Sequence, residues 1–297
     1  MTLLPQAVAI DPVSRPSIAE QADGWQASLQ LQLKHKGSRT VLQSSKHLGP
    51  LRVQRPFYPE GEVCHLYLLH PPGGMVAGDN LTIGLDCQPG SQVLVTTPAA
   101  GKLYRVAEQA SPQYQGVEAQ IAAGASLEWL PQETILFNGA QGELRNRFEL
   151  AKDSCLIGWD IVCLGRRASG EQFEHGAVKQ RIEIIKDGRP LLIDRVNFEG
   201  SSDMLAAPWG MNGQVVSGTL FATIDHSESL LLDELRGLLP VSDATQQWGL
   251  SLRNSVLLVR YLGGSAETCR RGFEKIWQQL RPVLLARPML RPRIWNT

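Results

Sequence analysis

The sequence predicts a mainly β chain with two α-helices near its end, on three observations. Apolar and polar residues alternate with a period of two in many short runs. Gly and Pro clusters separate the runs. Only two late segments carry a helical period. The first run is Leu29, Leu31 and Leu33 alternating with Gln30, Gln32 and Lys34, which turns one face inward. The alternation returns at Leu81, Ile83 and Leu85, at Val93 and Val95, at Leu127 and Trp129, and at Ile182 and Ile184. Pro71-Pro-Gly-Gly74, Gln88-Pro-Gly90, Asn138-Gly139 and Lys186-Asp-Gly188 punctuate it, because Gly and Asn tolerate positive φ and Pro presets a turn.

The helices follow from caps and spacing. Ser227 can cap a helix through Leu231, Leu235 and Leu238, stopped by Pro240. Ser265 can cap a second in which Phe273, Ile276, Trp277 and Leu280 share a face, with Pro282 expected after its end. Between them, residues 255–262 are strand-like. Residues 1–23 are polar, contain Pro and show no period, so they predict a flexible N-terminal extension before one domain over 24–297.

Composition narrows the function. With 29 basic and 29 acidic residues the chain is no general polyanion binder. The balance hides an asymmetry. Residues 251–297 hold eight Arg and Lys275 against Glu267 and Glu274, a net +7, which leaves −7 on residues 1–250. The bland reading pairs these arginines with the acidic body; the alternative aims Arg287, Arg291 and Arg293 at an acidic partner. No run of about eighteen apolar residues occurs, and the N-terminus does not read as a secretory signal. Five cysteines without a C-x-x-C pair suggest neither a disulfide framework nor a thiolate zinc site, and fit a reduced cytoplasm.

Candidate chemistry centres on a few places. His70-Pro-Pro-Gly-Gly-Met-Val-Ala-Gly-Asp79 fixes a tight loop in which Gly73, Gly74 and Gly78 let backbone approach a ligand and Asp79 points at it. The competing reading has Asp79 bonded to backbone amides. Gly101-Lys102 lacks the spacing of a phosphate loop, and no G-x-S-x-G elbow is present. His65 and His70 form no compact metal motif, which leaves a weak nickel site from distant residues open. Asp160 and Asp194 lie within apolar strand runs, where a carboxylate needs a partner or a task. That task is a buried ion pair, a polar passage for a cation, or, as the alternative from another class, a carboxylate pair in a β-helical carbohydrate-active hydrolase.

At these residues the chain resembles the UreD (UreH) family of urease accessory proteins. The matching stretches are Arg55-Pro-Phe-Tyr-Pro-Glu60, His65 to Gly74 and on to Asp79, and Thr96-Thr-Pro98 through Lys102, Tyr104 and Arg105. They continue with Leu127 to Glu133, Trp159 to Arg166, Leu280-Arg-Pro282 and Pro292 to Trp295, in order over roughly Gly24 to Thr297. The resemblance implies a helical stack of β-strands with two helices and a non-catalytic maturation chaperone. It implies binding to the urease apoprotein and to UreF, which recruits the GTPase UreG, and an internal passage that conducts nickel(II) transiently, with no tightly bound cofactor. Asp79 and Asp160 match carboxylates proposed for that passage, and Asp194 stands where relatives often have Glu. Here Gly101 lacks a hydroxyl and Leu103 an aromatic that relatives commonly carry.

Overall fold

The computed structural model describes residues 24–224 and 231–296. Ser227 and the N-terminal extension 1–23 lie outside the described residues. In chain order the strands are β1 (Gln26–Lys36), β2 (Arg39–Leu48), β3 (Arg52–Val53), β4 (Cys64–Leu69), β5 (Asn80–Cys87), β6 (Gln92–Thr96), β7 (Gly101–Leu103), β8 (Gln113–Ile121) and β9 (Ser126–Leu130). Then come β10 (Thr134–Leu136), β11 (Gln141–Leu150), β12 (Cys155–Leu164), β13 (Ala177–Lys186), β14 (Arg189–Glu199), β15 (Val216–Thr223), β16 (Gln246–Arg253) and β17 (Val256–Gly263). Helix α1 spans Leu231–Leu238, and α2 spans Ala266–Leu285.

The strands form two open sheets. The first has the order β14-β13-β11-β8-β5-β1-β2. The second runs β16-β17-β15-β12-β9-β6-β4-β3, with β7 and β10 attached beside β12. Successive strands alternate between them: β5, β8 and β11 are parallel neighbours in the first sheet, while β6, β9 and β12 are parallel neighbours in the second. Neither sheet closes on itself. Every alternating apolar run named above turns into the space between the sheets, where Leu29, Leu31, Leu33, Leu81, Leu85, Val93, Leu127 and Ile184 are buried together. A second core lies on the outer face of the second sheet. There Trp159, Ile161, Leu220 and Val259 meet Phe273, Ile276, Trp277 and Leu280 of α2. No helix among the described residues is long and apolar enough to cross a membrane.

Ser265 caps α2 as expected, its hydroxyl accepting from the Thr268 N–H. The expected stop at Pro282 is corrected: α2 runs on to Leu285 with Pro282 inside it. Proline removes one N–H but keeps its carbonyl, and the Ala286 N–H closes onto that carbonyl with Ala286 in the left-handed region. Leu284 and Leu285 pack on the second core and hold this extra turn.

The charge asymmetry is largely settled inside the fold. Arg260, Arg270, Arg281 and Arg287 pair with Asp194, Glu133, Glu60 with Glu128, and Glu62 respectively, all in the acidic body. Arg271 and Arg291 pair locally with Glu267 and Glu274. Arg287 also donates to Gln92 at 2.6 Å, and Arg291 stacks near Trp295. Arg293 is exposed and has no ion pair among the described residues.

Candidate functional site

The inter-sheet space is mostly apolar, and a band of polar side chains crosses it. Strand alternation creates it. In β11, Leu144, Asn146 and Phe148 all face inward; in β13, Val178, Gln180 and Ile182 do so, so one polar residue on each strand enters the core. In the second sheet the row Asp160–Thr219–Arg260 lies in direct register across β12, β15 and β17. Asn146 and Gln180 of the first sheet meet Asp160, and Asp194 of β14 meets Arg260.

Asp160 is buried, and its Oδ2 accepts from Asn146 Nδ2 at 3.0 Å. Burial pushes its pKa up to about 6, against hydrogen bonds from the Gln180 side chain and the Ile161 backbone. Its side-chain partners are neutral amides, and among the described residues no cation pairs with it. Asp194 differs. Both of its oxygens accept from Arg260, each at 3.0 Å, and Arg260 also donates to Thr219 Oγ1 at 3.4 Å.

Asp160 and Asn146 form the inner end of a cavity of about 390 Å³. Its mouth is built by the two loops singled out in the sequence: His70, Gly73 and Gly74 on one side, Lys102 on the other. These loops are zipped together. The Met75 N–H donates to the Lys102 carbonyl, and the Tyr104 N–H donates to that of Met75. Gln113 Nε2 donates to the carbonyls of both Met75 and Tyr104. Gly73 has φ +79°, open to glycine, and a Cβ on Gly74 would collide with the Tyr104 ring. Tyr104 is pinned edge-on to Phe137, with ring centroids 4.8 Å apart, and the Arg105 stem fills the space above Gly139. Burial lowers the His70 pKa, against the opposing pull of the Asp79 charge. The indole Nε1 of Trp129, another lining residue, is buried with no hydrogen-bond partner among the described residues.

Asp79 sits behind this mouth. Its Oδ1 accepts from the Trp25 N–H and its Oδ2 from the Val76 N–H, both at 2.8 Å, and it does not line the cavity. Gly78, at φ +79°, completes the same turn. The structure thus brings Asp160, His70 and Lys102 to one cavity, places Asp194 farther along the same band, and gives Asp79 to the backbone. Sequence reasoning missed Asn146, Gln180, Thr219 and Arg260. Their signal was a polar residue at an inward position of an alternating run.

No group of three or more His, Cys, Asp or Glu able to hold a metal ion is found among the described residues. The band holds single carboxylates at intervals rather than a cluster.

Comparison with known proteins assigns the chain. The family model described as "UreD urease accessory protein" matches residues 26–296. The chain is 49% identical to the urease accessory protein UreD of Saccharophagus degradans, over 92% of this chain and 93% of that protein. It is 45% identical to that of Dechloromonas aromatica, over 96% and 98%, and 43% identical to that of Klebsiella aerogenes, over 92% and 97%. With the family model matching residues 26–296 and these relatives 43–49% identical over more than nine-tenths of the chain, the chain belongs to the UreD family of urease accessory proteins.

Proposed function

We propose that this chain is a non-catalytic, cytoplasmic scaffold of urease maturation. It binds the urease apoprotein and UreF, through UreF it meets UreG, and it passes nickel(II) along the polar band between its sheets. In this reading the alternation of strands between the sheets is the winding of a helical stack, with the band as its interior. One observation carries the passage: Asp160 is a buried carboxylate held by neutral amides, so its charge is uncancelled and can meet a cation. An ion in transit needs oxygen ligands weak enough to release it, and isolated carboxylates and amides meet that need better than a cage. The hydrolase reading has less support, because both Asp194 oxygens are already engaged by Arg260.

Two experiments test the proposal. A tagged full chain expressed with its own urease subunits and UreF should bring both down, and recovery of neither overturns the scaffold. Asp160→Ala should lower the nickel occupancy of urease while those complexes persist. Asp79→Ala should do so through loss of the mouth geometry. Unchanged occupancy in both variants removes the passage.

A further inference from the structure

We infer that Arg260, latched to Asp194, closes the route between the inter-sheet cavity and a groove at the open side of the sandwich, so that this ion pair controls exit from the passage. The inference rests on the passage reading and adds its control point. The groove encloses about 840 Å³ and is lined by residues of β14, β15, β16 and β17, among them Arg195, Ser217, Trp248 and Arg260. Asp160 lines the cavity and Arg260 lines the groove. The two residues are two strands apart in one register row, so about 10 Å separates their backbones. Between them stands Thr219, buried and lining neither space.

The barrier is therefore one threonine and one ion pair. Arg260 joins the two sheets at this point, through Asp194 on the first and Thr219 on the second. Its side chain is 46% exposed, so the guanidinium has open groove to move into, while Asp194 behind it is 17% exposed. The charges set the sense of the device. A cation leaving Asp160 next meets a positive guanidinium and is repelled. When the guanidinium turns into the groove, the repulsion goes and two carboxylate oxygens of Asp194 become free as the next ligands. Closed and open states thus differ in both barrier and binding site.

Thiol accessibility reads the latch without nickel. In the full chain carrying Thr219→Cys, modification of the introduced thiol by a cationic methanethiosulfonate reagent is followed by mass spectrometry of the peptide containing it. Adding Asp194→Asn, nearly unchanged in shape, should speed the modification about tenfold, the effect of losing one charge-assisted hydrogen bond on an opening equilibrium, and Arg260→Ser, which removes both bonds to Asp194, should speed it at least as much. An unchanged rate in Asp194→Asn overturns the latch and leaves the passage reading standing. Faster labelling in Asp194→Asn with unchanged nickel occupancy of urease in both Asp160→Ala and Asp79→Ala keeps the latch and removes the passage reading instead.

Discussion

A cross-linking arginine lies against each face of the second sheet, and the two are used in opposite ways. On the outer face Arg281 of α2 has no exposed side-chain surface. It donates to both oxygens of Glu60, to both oxygens of Glu128 and to the Pro288 carbonyl. His65 Nε2 lies 2.6 Å from the same Glu60, and Trp277 Nε1 donates to the same Glu128, also at 2.6 Å. Burial would raise the Glu60 pKa, but hydrogen bonds from His65 and Arg281 outweigh it and hold it at about 2. On the inner face Arg260 has one carboxylate, one hydroxyl and half its side chain in the groove. The number of partners and the exit to solvent, not the residue type, separate a clamp from a latch.

The largest effect should come from breaking the clamp. Arg281→Met leaves Glu128 a buried carboxylate with no cation and Glu60 with His65 alone, and urea unfolding should show a loss of about 3–5 kcal/mol. Adding Glu60→Gln and Glu128→Gln should recover much of it, because neutral amides cost less to bury. If the single variant unfolds at the wild-type midpoint, the clamp contributes nothing and the contrast with Arg260 disappears.

The next effect sharpens the contrast through pH. The Asp160 pKa in the fold is about 6, above its value in the unfolded chain. Its contribution to stability is full below the unfolded pKa and is lost as pH rises through 6. Between pH 5 and pH 7.5 the chain should therefore lose about 1 kcal/mol from this group. Asp160→Asn should abolish that slope, as denaturant midpoints at the two pH values will show. Glu60 has the opposite sign. Its depressed pKa stabilises the fold above the usual carboxylate range, and that contribution is lost as pH falls through about 2. The clamp therefore resists neutral and mildly acidic pH, whereas the band responds to it.

The smallest effects concern the basic tail. Arg291→Glu breaks the pair with Glu274 and should cost about 1 kcal/mol or less. Arg293→Glu, at an exposed site, should shift stability by less than about 0.5 kcal/mol. If Arg293→Glu nonetheless weakens capture of urease or UreF, this arginine faces a partner. Normal capture assigns the tail to the fold.

Much of this was readable from particular residues. Leu29, Leu31 and Leu33 announced an inward strand face, and Ser265 announced a helix start, because both signals are local. Asp160 and Asp194 stood out because a carboxylate in an apolar run conflicts with burial. Their different partners did not stand out: Asn146 is 14 residues from Asp160, and Arg260 is 66 from Asp194. Asp79 had two readings, and the engagement of both its oxygens by backbone N–H groups appears only once Trp25 is seated beside it. The overrun of α2 past Pro282 likewise depended on a distant surface that receives Leu284 and Leu285.

The amino-acid pattern was enough for the mainly β class, for the alternating runs at Leu29, Leu81, Val93, Leu127 and Ile182, for the helical face of α2 and for the family, since each is written in short-range pattern or in ordered motifs. Tertiary structure alone decided which charges cancel. Pairing depends on which strands become neighbours and which inward positions come into register. That long-range choice leaves Asp160 among neutral amides, seals Arg281 between two glutamates, and sets Arg260 at the edge of a groove where it can move.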